Sequence, residues 1–341
     1  MKRYFFILVI PLIILFGCKS GKNGRLYFYN WTYYIPNEVI KDFEKEYEVK
    51  VYVDLYSSNE EMFAKLKAGA KGYDLTMPSG DYVSIMIKED MLNEIDSNLI
   101  PNYKYIDKRM IDKKTFDTDN KYSIPFMVGA SGIVVNKKYV KYYPRSMDIF
   151  LRSDLKGRMS LLDDMREVLG IALKRLGYSV NSINIDELNE AKELILEWKK
   201  NIQKFDAEAF AKSFSLGNFW IVQGYPDAIF QEIENEAERE KIDFFIPKEG
   251  GTMYMDNFVI LKNAKNIENA LKFINFIHRP DIYAKILDEF LFLGINNEAI
   301  KYRKTTPAYT FNDLEKCEFI DDIGENIELY NTIWESIRIG D

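Results

Sequence analysis

The sequence predicts an α/β protein built as two lobes with a ligand cleft between them, and three observations carry that prediction. Its 341 residues amount to about twice a typical domain. Apolar residues repeat with period 2 and then with period 3.6 in alternation, which marks strand–helix–strand units and a parallel sheet. That rhythm begins afresh after Gly132. Composition agrees: 47% hydrophobic and 29% charged residues are near globular averages and exclude disorder, collagen-like repeats and multi-span membrane proteins.

In chain order, residues 25–30 read as a strand, Leu26, Phe28 and Asn30 alternating with Tyr27 and Tyr29, and 31–34 follow as a loop. Pro36 opens a helix whose Val39, Ile40, Phe43 and Tyr47 keep the helical period; Val49, Val51, Val53 and Leu55 then alternate as a strand. Asn59 reads as the cap of a second helix carrying Met62, Phe63 and Leu66, which Gly69 ends. Residues 73–77 form a short buried strand before the turn Pro78-Ser79-Gly80. In the second half, a strand at 159–163 leads into a helix over 165–177, and 186–199 is another amphipathic helix. Strands at 219–223 and 242–247 flank a helix over 226–237, and a turn at 248–251 precedes a long strand, 253–261. Helices at 269–277, 281–290 and 326–338 close the chain, the last with Ile327, Tyr330, Ile333, Trp334 and Ile337 on one face. Trp198 and Trp334 are assigned to the core.

The single histidine, His278, and two cysteines, Cys18 and Cys317, exclude histidine-based triads, zinc sites of several His or Cys, and a disulfide scaffold. No P-loop, GxGxxG, GxSxG or metal-ligand spacing occurs, so no cofactor, metal or catalytic residue is assigned. His278, at the end of an apolar helix, reads as a partner of the helix dipole, and Cys317 as a buried apolar filler. Lys2-Arg3, an apolar stretch over 4–16 and then Gly17-Cys18 read as a secretory signal occupying residues 1–17. Leu15-Phe16-Gly17-Cys18 resembles the lipobox of bacterial lipoproteins, which implies acylation of Cys18 and a membrane anchor on the periplasmic side. A plain transmembrane anchor or a coincidental cysteine is the alternative. Cleavage removes Lys2 and Arg3 and no acid, lowering the formal charge from −7 by two to −9. Such a surface repels nucleic acid and anionic lipid and favours cationic ligands.

Ligands of open α/β sheets bind beyond the carboxyl ends of strands. The loops there carry Trp31-Thr32-Tyr33-Tyr34, Ser79-Gly80-Asp81-Tyr82, residues 163–167 and Tyr254-Met255-Asp256, with aromatics and carboxylates throughout. Ammonium groups separated by methylenes require both: carboxylates accept charge-assisted hydrogen bonds, while rings cover the alkyl segments and attract the cations. Asp164 and Glu167 also form a capping-box pattern, and Asp256 is a residue type that strands disfavour. Paired acids fit a glycosidase as well.

Five segments resemble, in order, signatures of the spermidine/putrescine-binding proteins of bacterial ABC transporters: LYFYNWTYYIP (26–36), YSIP (122–125), DDMREVLGIALKRLGYS (163–179), PKEGGTMYMD (247–256) and FINFIHRPD (273–281). The resemblance spans 25–338. It implies a type II periplasmic-binding-protein fold, lobe 1 being 25–130 plus 253–295 and lobe 2 being 131–252 plus 296–341. The chain would cross near 130–134 and 250–253 and return after about residue 295. It also implies a non-enzymatic, periplasmic polyamine carrier that delivers its ligand to an ABC permease. Matched by position, Trp31, Thr32, Tyr34, Ser79, Asp164, Glu167 and Asp256 become ligand contacts, and Tyr254 keeps an aromatic. Tyr33 stands where a relative has an acid, Asp81 where it has Tyr, Val222 Trp, Leu293 Tyr and Ile320 Gln. Asp81 joins the candidate site as an acid exchanged for the one lost at Tyr33, the alternative being a solvated turn residue, since Gly-Asp after Pro-Ser is ordinary turn chemistry. The alternatives are a carrier of another organic cation, an extracytoplasmic carboxylate-based hydrolase and a lipid-anchored adhesin.

Overall fold

The computed structural model of the protein describes residues 24–32, 34–233 and 235–339. The expected signal segment 1–17, Cys18 and Tyr33 lie outside the described residues.

Leu26 and Phe28 are wholly buried, and β1 (Gly24–Trp31) pairs in parallel with β2 (Val49–Tyr56) and β3 (Leu75–Thr76). Between β1 and β2 runs the helix Asn37–Tyr47, whose Val39, Ile40 and Phe43 are buried as their spacing requires. β4 (Ser123–Ala130) is buried at every residue, the reading expected of a strand covered on both faces. The second sheet is made of β5 (Gly132–Asn136), β6 (Met159–Leu161), β7 (Ile202–Phe205), β8 (Ile221–Gly224) and β9 (Ile242–Phe245), in the order β7-β6-β8-β5-β9. β10 (Thr252–Ile260) and β11 (Glu318–Phe319) return to the first sheet, ordered β11-β10-β3-β1-β2, with β4 on β10 as well. Helices cover both sheets, giving two α/β lobes with discontinuous chain in each.

The crossings lie close together. Ser131 alone separates β4 of the first sheet from β5 of the second, and residues 246–251 connect β9 to β10. The third crossing comes later than residue 295. Asn296 donates to the carbonyl of His278, the Asn297 amide donates to the carbonyl of Tyr105, and Lys304 and Thr305 donate their amides to Asp288. Those bonds keep residues 296–305 on the first lobe; the chain then reaches β11, beside Thr252 and Met253, and the helix Ile327–Ile339 packs on the second lobe. Trp198 and Trp334 are both buried.

Three local expectations are corrected. Ser58, not Asn59, caps the helix Asn59–Lys67, its hydroxyl accepting the Glu61 amide at 3.1 Å, because Asn59 is engaged elsewhere. The Pro78-Ser79-Gly80 turn runs directly into a helix, Gly80–Lys88. The helix expected over 226–237 is two short ones, Pro226–Gln231 and Glu236–Arg239.

Candidate functional site

Asp256 lies in β10 where the register with β4 shifts by a residue, and only 3% of it is exposed. A bulge re-aims a side chain, which explains an acid in a strand. Ser79 Oγ donates to Asp256 Oδ1 at 2.5 Å and the Tyr34 hydroxyl donates to Oδ2. Asn59 fixes Ser79 in turn, donating to its hydroxyl at 3.0 Å and accepting its amide at 3.2 Å. Trp31 is oriented by its indole N–H on the Met77 carbonyl, 2.7 Å, and packs on Tyr56 and Tyr34. Thr32 is exposed, its hydroxyl on the Tyr56 carbonyl at 3.3 Å. Tyr254, the one partly exposed residue of β10, lays its ring across Gly129 of β4; a Cβ there would sit 2.3 Å from the ring.

On the other lobe, Asp164 caps the helix Met165–Leu176, accepting the Glu167 amide at 3.0 Å. The reciprocal half of the expected capping box does not form. The Glu167 carboxylate accepts instead from the hydroxyls of Ser131, Thr252 and Tyr225. Asp81 lies in the first turn of the helix Gly80–Lys88, and the neighbouring Tyr82 hydroxyl donates to Glu60 at 3.0 Å.

These groups share one electrostatic environment. Burial pushes Asp256 up to about 6 and Glu167 up to about 7, the latter helped by the Asp164 charge. Asp164 itself opens to solvent, yet protein surrounds its carboxyl from both lobes and raises it. Asp81 is raised to about 7 by burial, opposed by the Arg166 charge of the other lobe. Tyr34, Tyr225 and Tyr254 are held well above the usual phenol range by the same desolvation and by these carboxylates. Thus the structure brings Tyr34, Ser79, Tyr254 and Asp256 of one lobe against Asp164 and Glu167 of the other. Tyr82 stands at the Asp164 end, within reach of its charge, and Asp81 beside it within reach of Arg166.

Two residues at this cleft went unnoticed in the sequence. Tyr225, just past the end of β8, meets Tyr254 edge to face at 5.9 Å and bonds Glu167 Oε1 at 3.2 Å. Asp227, two residues on, is raised to about 6 by burial and by the charge of Asp256, and its own charge acts on Tyr34 and Tyr254. Val222, singled out as a departure, is wholly buried inside β8 opposite Val134, so the ring this strand offers the cleft is Tyr225. Leu293 is half-buried, next to Phe292, whose ring lies 5.2 Å from that of Tyr34. His278 is wholly buried, its ring nitrogens 2.8 Å from the carbonyls of Ile274 and Pro125, and Cys317 is buried with its thiol pushed up to about 11.

Known proteins with this architecture point the same way. Residues 38–309 match the model of the bacterial extracellular solute-binding proteins. The spermidine/putrescine-binding periplasmic protein of Escherichia coli is 34% identical over 337 residues, covering 95% of this chain and 94% of that protein. A putrescine/cadaverine-binding protein of Pseudomonas aeruginosa is 32% identical over 80% of this chain and 79% of its own length. Among solved structures, a lipoprotein of Treponema pallidum superposes with a TM-score of 0.89 at 47% identity, over 92% of this chain and 99% of its own. Fold, chain order and similarity over nearly the whole length agree: the chain belongs to the bacterial extracellular solute-binding proteins, alongside the spermidine/putrescine-binding periplasmic proteins.

Proposed function

We propose that this protein binds a linear polyamine between its lobes and delivers it to the permease of an ABC transporter. The observation that carries this reading is the set Asp81, Asp164, Glu167, Asp227 and Asp256. Among the described residues, none of the five is in ion-pair contact with a lysine or arginine. Glu167 and Asp256 are buried and Asp81 and Asp227 half-buried, and acids withdrawn from water without a cation are costly unless a cationic ligand completes them. A protonated di- or triamine supplies two or three charges, and Trp31, Tyr34, Tyr225 and Tyr254 supply ring surface for its methylenes. Thr32 and Ser79 complete the ligand set, Ser79 through Asp256. The printed names of the relatives support the same ligand class.

The lobes divide as 25–130 plus 253–319 and 131–252 plus 320–339, with the last crossing just after β11. Cys18 carries the lipid that holds the mature protein at the membrane on the periplasmic side, beside its permease. Calorimetric titration with putrescine, spermidine and spermine tests the function. Saturable binding of at least one of them, with no binding of neutral sugars, is expected. Absence of binding to all three amines overturns the reading.

A further inference from the structure

Glu167 does more than face the cleft. Its Oε2 accepts from Ser131 Oγ and from Thr252 Oγ1, both at 2.5 Å, and the two hydroxyl oxygens are 3.1 Å apart. All three residues are buried: Ser131 is 1% exposed, Thr252 0% and Glu167 3%. What gives this cluster its meaning is where the hydroxyls stand in the chain. Ser131 is the single residue between β4 and β5, at the first crossing, and Thr252 is the first residue of β10, at the second. Thr252 also pairs with Glu318 of β11, where the third crossing passes. One carboxylate oxygen therefore grips the chain at the points where it passes from lobe to lobe.

The helix that carries Glu167 is seated on the same place. Gly170, one turn along the same face, lies so close to Thr252 that an added Cβ would come within 2.5 Å of its Cγ2. Neither hydroxyl needs to touch a ligand to matter. A hinge moves by changing backbone angles in a few residues at such crossings, and here those residues are hydrogen-bonded to an acid of the interlobe cleft.

We infer that Ser131 and Thr252 are positioning residues that couple Glu167 to both interlobe crossings, so that aiming this carboxylate at a ligand and setting the hinge are one event. The inference rests on the polyamine-binding reading of the site. With Glu167 ionised against a ligand cation, both hydroxyls donate to it and the crossings are held to the helix. Without those bonds the carboxylate loses its aim and the lobes lose a tie in the closed form.

The test is a double-mutant cycle on the full mature protein, with spermidine and putrescine as probes, reading affinity by calorimetry and dissociation rate by rapid displacement. Ser131→Ala and Thr252→Val are each expected to weaken binding about 10- to 150-fold, mostly through faster dissociation, in line with loss of a hydrogen bond to a charged group. Thr252→Ser, which keeps the hydroxyl, is expected to stay within about twofold of the parent. In a Glu167→Gln background, Thr252→Val is expected to add less than about twofold, because its partner is already altered. Thermal melts of Thr252→Val and Thr252→Ser establish that both fold. If Glu167→Gln weakens binding while Ser131→Ala and Thr252→Val do not, or if the effects of Thr252→Val and Glu167→Gln simply add, the coupling is overturned and the ligand site stands. Parent-like affinity in Glu167→Gln removes Glu167 from the ligand site and takes the inference with it.

Discussion

Asp256 is held by the hydroxyls of Ser79 and Tyr34, groups that orient a carboxylate without neutralising it. Its replacement by Asn keeps the shape and removes the charge a ligand ammonium requires. Asp256→Asn is expected to cost about 2–5 kcal/mol of binding, roughly 30-fold to several thousand-fold in Kd, with the fold retained; calorimetry and a thermal melt measure both. Asp81 lies farther out, half-buried, with Arg166 opposing its protonation. Asp81→Asn is expected to weaken binding by about threefold or more, and adding Tyr33→Glu to recover part of that loss, if the two positions exchange one acid. Additive, near-zero effects would make Asp81 a turn residue. Asp256 was legible in the sequence because an acid between Met255 and Asn257 contradicts strand chemistry. Tyr225 and Asp227 were not, since Tyr-Pro-Asp at the start of a helix is ordinary loop and capping chemistry. The available signal was that Tyr225-Pro226-Asp227 repeats the Tyr-x-Asp spacing of Tyr254 and Asp256. Nothing in Val222 itself says that it lies mid-strand rather than at the strand's mouth.

At the scale of elements, the helix Met165–Leu176 shows what sequence can and cannot say. Its cap at Asp164, its apolar run and its stop at Gly177, in the left-handed region at φ 90°, follow the rules for helix ends and were legible. That Glu167 would abandon the capping box was not, because its partners Ser131 and Thr252 lie far away in the chain. Gly170 was silent for the same reason. Gly170→Ala is expected to destabilise the protein by about 1–3 kcal/mol, since its methyl would meet Thr252 and the helix would have to lift off the crossing; urea unfolding with the m-value unchanged checks this. The long amphipathic helices and β1, β2 and β10 were read nearly to their ends. β7, β11 and the helix Gly80–Lys88 were not, being short, or opening on Pro-Ser-Gly-Asp, which reads as a turn.

For the whole molecule, the site acids impose opposite pH trends on the free and the liganded protein. Glu167, Asp81, Asp227 and Asp256 have folded pKa values raised to between about 6 and about 7, above those of an unfolded chain. At these four groups the folded state therefore binds more protons than the unfolded one between about pH 4 and 7. These groups accordingly stabilise the free protein at the acidic end and lose that contribution as pH rises through 7. A bound ammonium favours the ionised forms, so polyamine affinity is expected to fall as pH drops from 8 to 5, with protons released on binding at neutral pH. Calorimetry in buffers of different ionisation enthalpy reads the proton release, and the pH series reads the affinity. Cys18→Ala is expected to yield a folded protein that leaves the detergent phase for the aqueous one, because no helix among the described residues is long and apolar enough to cross a membrane. The interleaving of the lobes reaches into biogenesis. β10, which joins β4, β3 and β11 in the first sheet, is supplied by residues 252–260. The residues that begin the first lobe thus leave the ribosome long before their central strand exists, while the second sheet, complete by residue 245, can close earlier. A nascent chain whose first lobe cannot finish until three-quarters of it has been made stays unfolded at its leading end, the condition a secretory translocase needs to thread it.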